Sequence, residues 1–99
     1  MAVRAGRTAL VTGGGRGIGR AVALDLARAG VAVAVAARTA GEVEAVAAEA
    51  RQLGAQAAAL VADVARPEAV REMFRAARAA LGPIDILVCG AGVAPRRPW

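Results

Sequence analysis

The stretch Thr12-Gly13-Gly14-Gly15-Arg16-Gly17-Ile18-Gly19 decides how this chain folds. Before it, Thr8-Ala9-Leu10-Val11-Thr12 is a short apolar run that three consecutive glycines end. That pattern reads as a buried strand followed by a tight turn. After it, from Gly17 to Ala29, the apolar period becomes helical. Ile18, Val22 and Leu26 fall four apart, with Ala21 beside them, on the face expected to be buried. The glycines have separable tasks. Gly13 lets the chain turn sharply off the strand, Gly17 lets backbone approach a bound pyrophosphate, and Gly19 lets the helix pack closely on the sheet. The free N–H groups and positive dipole end of that helix then face an anion.

Working outward, the same alternation repeats. Gly30 stops the first helix as a C-terminal cap. Val31 to Ala36 alternates Val and Ala without a polar residue, as a strand covered on both faces does. Thr39 and Glu42 have the spacing of a capping box. The helix they open carries Val43, Val46, Ala47, Ala50 and Leu53 on one face, and Gly54 ends it. Gln56 to Ala62 is a third strand, finishing at Asp63-Val64. Pro67 suits the first turn of a third helix with Val70, Met73, Phe74, Ala77 and Leu81 at helical spacing. Gly82-Pro83 stop it, and Ile84 to Cys89 is a fourth strand. The order β-α-β-α-β-α-β implies one α/β unit, a parallel sheet wound by right-handed crossovers. No second domain, linker or internal repeat interrupts it. The first two helices are expected on one face and the third on the other, leaving the fourth strand as an unpaired edge.

Composition bounds the chemistry. The chain has 99 residues, 58% hydrophobic and 2% aromatic, and 29 of them are alanine. A chain of this size buries roughly 60–68% of its unfolded surface, so a core is possible. All 13 basic residues are arginine, and there is no Lys, His, Ser, Tyr or Asn. That excludes a Ser-His-Asp triad, a Schiff base and a His-containing zinc site. No metal site and no catalytic residue is expected. The single Cys89 excludes an internal disulfide and reads as a small packed apolar residue. The net charge of +5 comes from arginines spread from Arg4 to Arg97, with only Arg96 and Arg97 adjacent, so nucleic acid is not the expected partner. No apolar run reaches the ~18 residues of a membrane span, and no signal-peptide core precedes the first strand. The expected location is cytoplasmic.

The turn is not the common Gly-x-Gly-x-x-Gly fingerprint; it fits Thr-Gly-x-x-x-Gly-x-Gly. A P-loop is missed as well, because Arg20-Ala21 stand where Lys-Ser/Thr are needed for phosphate and Mg²⁺. A glycine turn with no ligand is the alternative, at a cost in unfolded-state entropy that random turns seldom incur. The second strand ends Ala36-Ala37-Arg38, without the acid that accepts from an NAD ribose. Arg38 can pair bidentately with a phosphate, and Arg16 can reach the same group. Otherwise both are solvated loop arginines. Asp63 caps the turn before Pro67, binds a ligand, or does both; Asp85 reads as a structural acid at a strand start.

Four stretches together resemble the N-terminal part of the short-chain dehydrogenase/reductase family: Thr12 to Gly19, Asp63-Val64, Gly82 to Val88, and Ala91-Gly92. They follow the family's order and spacing from about Arg7 to Trp99. The resemblance implies a Rossmann-type, doubly wound parallel sheet, here incomplete with four strands. It implies NAD(P)-dependent redox on alcohols and ketones, with 3-oxoacyl-type reductases as the subclass. On the same ground Thr12, Gly13, Gly15, Arg16, Gly17, Ile18 and Gly19 are expected at the cofactor. Arg38 and Arg16 imply NADP(H) rather than NAD(H). Asp63 accepts from the adenine amino group and Val64 lines the adenine pocket. Cys89-Gly90-Ala91-Gly92 replaces the family's Asn-Asn-Ala-Gly beside the nicotinamide ribose, with two asparagines lost. The family's Tyr, Lys, Ser and Asn have no counterpart here, so the chain looks like about the first two-fifths of a member. It is expected to bind a dinucleotide without turnover, to meet a small carbonyl or alcohol only in a longer form, and to self-associate through its sheet edge. The alternative is a non-catalytic nucleotide-binding module or truncated product.

Overall fold

Seven elements alternate along the chain in a computed structural model that describes residues 6–13 and 15–89. They are β1 (Thr8–Thr12), α1 (Gly17–Arg28), β2 (Ala32–Ala37), α2 (Ala40–Gln52), β3 (Ala57–Val61), α3 (Pro67–Leu81) and β4 (Ile86–Cys89). The four strands form one parallel sheet in the order β3-β2-β1-β4. After β3 the chain crosses back over β1 to place β4, so the winding direction reverses at β1. This is the α/β, Rossmann-type arrangement expected from the element order.

The Val/Ala alternation of β2 divides the core. Val33 and Val35, with Ala9 and Val11 of β1, face α1 and α2 and pack against Ala23, Leu24, Ala27, Val43, Val46, Ala47 and Ala50. The opposite face carries Leu10, Ala34 and Ala36, covered by Met73 and Ala77 of α3. Two helices thus lie on one face and one on the other, as the crossover rule requires. The smaller core relies on alanines that let α3 approach closely, and Leu10 is its largest fully buried side chain.

Three expectations are corrected. The fully buried face of α1 is not Ile18, Ala21, Val22 and Leu26, although Leu26 packs partly buried against the core. It is Gly19, Ala23, Leu24 and Ala27, one position on, while Ile18 is 79% exposed. Small residues at 19, 23 and 27 bring the helix axis close to the sheet, and that proximity outweighs turning the larger side chains inward. Thr39 is the N-cap of α2 but makes no side-chain capping bond. Glu42, the other half of the expected box, points to Arg16 instead. Leu53 lies just beyond α2, at its C-cap, and is exposed rather than part of the buried face.

Polar bonds set the edges of the elements. Asp85 donates its N–H to the Thr8 carbonyl and accepts the Thr8 N–H on Oδ2 at 3.0 Å. Its side chain takes an acceptor position in the ladder, so β4 begins after it rather than at Ile84 and the acid is structural as expected. Arg20 is bidentate to Glu49, with Nε 3.1 Å from Oε1 and Nη2 2.7 Å from Oε2, tying α1 to α2. Replacing Leu10 by Ala empties the thinner core, and urea unfolding should show a loss of about 2–5 kcal/mol.

Candidate functional site

The carboxyl ends of β1, β2 and β3 open into one cleft of about 600 Å³. This is the end of an open parallel sheet, beside the reversal point, where ligands bind in such folds. The turn after β1 supplies Gly13, Gly15 and Arg16; the end of β2 supplies Ala36, Ala37 and Arg38. Thr39 and Glu42 close one side, and Ala62, Asp63, Val64 and Ala65 the other. A second recess of about 560 Å³ shares Arg38, Ala62 and Asp63 and runs on to Arg66, Glu68 and Glu72 of the α3 region.

The glycine turn is held by geometry at two positions. Gly13 has φ +69° and donates its N–H to the Ala36 carbonyl at 2.8 Å, so the turn is hung on the end of β2. Gly15 is buried, and a Cβ there would lie 2.9 Å from Glu42 Cβ and 3.0 Å from Glu42 Oε1. The first turn of α1 contains no acidic residue, so the positive end of its dipole is uncompensated within the helix.

The charges on the wall are two arginines and two carboxylates. Arg16 Nε lies 3.7 Å from Glu42 Oε2, a loose and largely exposed pair. Arg38 is exposed and makes no ion pair among the described residues. Asp63 Oδ1 accepts the Ala65 N–H at 3.0 Å, which closes the turn ahead of α3. At the outer recess Glu68 is held below the usual carboxylate range, first by a backbone N–H at the start of α3 and then by Arg66, 3.0 Å away. Glu72 is likewise held low, mainly by its hydrogen bonds from Arg75.

Of the residues singled out from sequence, the fold brings Gly13, Gly15, Arg16, Arg38, Asp63 and Val64 onto one wall. Thr12 stands behind it: buried, with its hydroxyl donating to the Val88 carbonyl at 3.4 Å, it pins β1 to β4. Gly17 and Ile18 stand at the exposed start of α1, and Gly19 is under the helix against the sheet. Cys89 ends β4 and is exposed, not packed as expected. Gly14, Gly90, Ala91 and Gly92 lie outside the described residues. Sequence reasoning did not place Glu42 in the cleft, because its spacing from Thr39 is also that of a helix cap.

Residues 7–99 match the family model for short chain dehydrogenases. The chain belongs to the short-chain dehydrogenase family. It is 43% identical over 86 residues to an uncharacterized oxidoreductase of Mycobacterium tuberculosis, covering 87% of this chain and 33% of that protein. It is 42% identical over 88 residues to the 3-oxoacyl-acyl-carrier-protein reductase FabG of Staphylococcus epidermidis, covering 88% and 36%. A dehydrogenase/reductase of Sinorhizobium meliloti superposes with a TM-score of 0.86 at 47% identity, over 90% of this chain and 36% of that one. Two further short-chain neighbours were solved with nicotinamide cofactors. A 7α-hydroxysteroid dehydrogenase holds NADH (36% identity, TM-score 0.82, 84% of this chain and 32% of that one). An alcohol dehydrogenase of Thermococcus sibiricus holds 5-hydroxy-NADP (35%, 0.79, 82% and 35%). The chain therefore spans about a third of the length of the curated relatives it matches.

The cradle at Gly15 gives this short-chain dehydrogenase unit its most direct test. Gly15→Ala must displace Glu42 at its Cβ, not at a flexible tip. Thermal or urea unfolding should show a loss of about 1–3 kcal/mol.

Proposed function

We propose that this chain is the cofactor-binding portion of a short-chain oxidoreductase acting on alcohols and ketones, of the 3-oxoacyl-reductase-like type, and that it takes NADP(H) in preference to NAD(H). The observation that carries this is Arg38. It stands on the wall of the cleft at the end of β2, without an ion-pair partner among the described residues, where an NAD-preferring site has a carboxylate. A guanidinium there meets a 2′-phosphate with paired hydrogen bonds, and Arg16 adds a second cation in the same cleft. The identity with a 3-oxoacyl reductase over 88% of this chain supports the subclass.

In this reading Asp63 accepts from the adenine amino group with Val64 beside the ring. The turn from Gly13 to Gly19 and the unopposed start of α1 receive the pyrophosphate, with Gly17 and Ile18 at its mouth and Thr12 bracing it from behind. Cys89, Gly90, Ala91 and Gly92 approach the nicotinamide ribose. The bound dinucleotide supplies hydride transfer to or from the substrate carbon. The Tyr, Lys, Ser and Asn that would move the proton and orient a carbonyl in the family are residue types absent from this chain. By itself it binds without turnover. NADPH oxidation by the purified chain with any ketone would overturn that part and leave the binding reading intact.

Arg38→Asp tests the cofactor preference. A charged hydrogen bond of about 1.5–3 kcal/mol is lost, so NADPH affinity should fall roughly tenfold or more while NADH affinity holds or rises. Unchanged relative affinities would sink the assignment.

The same reading covers self-association. β4 ends the sheet, and its Leu87 is 51% exposed on the face shared with α3. An apolar open edge invites pairing. Light scattering should find species larger than a monomer, reduced by Leu87→Lys; a monodisperse wild-type monomer refutes this.

A further inference from the structure

We propose that Glu42 is the counter-ion of the 2′-phosphate site and sets how strongly the cleft prefers a nucleotide carrying that phosphate; this rests on the reading of Arg16 and Arg38 above. Glu42 sits in the first turn of α2 and lines the same cleft as both arginines. Its carboxylate lies 3.7 Å from Arg16 Nε. The two partners are unequal in freedom. The Glu42 side chain is 34% exposed and packs along Gly15, with Cβ and Oε1 about 3 Å from where a Cβ at Gly15 would stand. The Arg16 side chain is 84% exposed. The acid is the more enclosed member and the arginine the more exposed one.

That arrangement bears most on one ligand group. Asp63, the other acid on the wall, is engaged through Oδ1 in its own turn. Glu42 therefore occupies one of the two cations that a 2′-phosphate would use, while Arg38 carries no ion-pair partner among the described residues. A phosphate entering the cleft must draw Arg16 away from Glu42 or share it. It also meets a fixed negative charge on the same wall. Both effects weaken binding of a 2′-phosphorylated nucleotide; one with a free 2′-hydroxyl meets only the repulsion on its 5′-phosphate and is affected less. The pair is exposed and loose, so the effect is modest, about two- to fivefold in affinity at low salt. A short-chain unit with this acid discriminates less sharply between the two dinucleotides than its two arginines alone would make it.

Titration calorimetry of the full chain with 2′,5′-ADP and with 5′-AMP separates the effects, since both probes need only the adenosine side of the cleft. Glu42→Gln keeps the shape against Gly15 and removes the charge. It should tighten 2′,5′-ADP about two- to fivefold and 5′-AMP distinctly less, with an unaltered far-UV circular dichroism spectrum. Glu42→Ala should show the same selective gain. A gain in Glu42→Ala alone, an equal change for both nucleotides, or weaker 2′,5′-ADP binding overturns the proposal. Arg38→Ala serves as the reference. If wild type binds both probes equally and Arg38→Ala is silent, the 2′-phosphate reading falls and takes this proposal with it. If wild type prefers 2′,5′-ADP and Glu42→Gln is silent, only the role of Glu42 falls.

Discussion

The close seating of the glycine turn on the start of α2 is the constraint on which the rest of the cleft depends. Gly15 lies so near Glu42 and Ala37 that no side chain fits between them. Gly13 fastens the other end of the turn to the Ala36 carbonyl. With both ends held, the chain reaches Gly17 in line to begin α1, and the start of that helix faces the carboxyl end of the sheet. A bulkier turn would push α2 outward and separate Arg16 from Arg38. The anion-facing wall is thus a consequence of how little volume the turn occupies.

The same economy of volume governs the core. β2 directs Val33 and Val35 at α1 and α2, and Ala34 and Ala36 at α3. On the α1 face, Gly19, Ala23 and Ala27 bring helix and sheet together. Each of these contacts buries little area and stabilises little, so the unit relies on many of them and on polar fasteners at its margins. Arg20 to Glu49 joins the two helices of the thicker face, and Thr8 to Asp85 and Thr12 to Val88 join β1 to β4. Those last two bonds fasten the two ends of the β1–β4 pair, the second of them at the end of β1 from which the glycine turn leaves.

Most of the architecture was legible because glycine turns, Val/Ala alternation and helical spacing are local signals that agree with one another. Strand and helix order followed, and so did the gathering of Gly13, Gly15, Arg16, Arg38, Asp63 and Val64. What was not legible depended on tertiary distance. Ile18, Val22 and Leu26 form the more hydrophobic stripe of α1, yet close packing selected the smaller residues one position on. Hydrophobic periodicity weighs transfer from water and is blind to how near two backbones can come. Thr39 and Glu42 have capping-box spacing, but a carboxylate within reach of a guanidinium across the turn has a charged alternative to a backbone N–H. Thr12 belongs to the motif by position, while its hydroxyl serves the neighbouring strand.

The arginine-only basic composition takes on a specific meaning in this setting. An ammonium at position 38 would be a compact, strongly hydrated charge that neutralises a phosphate without orienting it. A guanidinium presents a planar fork, and here it stands in the bend that directly follows β2. The opposing pair, Arg16 with Glu42, has a different character because its arginine hangs from the turn rather than from the sheet. One cation of the wall therefore follows directly on the end of a strand, and the other is held in an ion pair. On the proposed reading, affinity for a 2′-phosphate rests chiefly on Arg38, and selectivity on how firmly the carboxylate of Glu42 keeps Arg16.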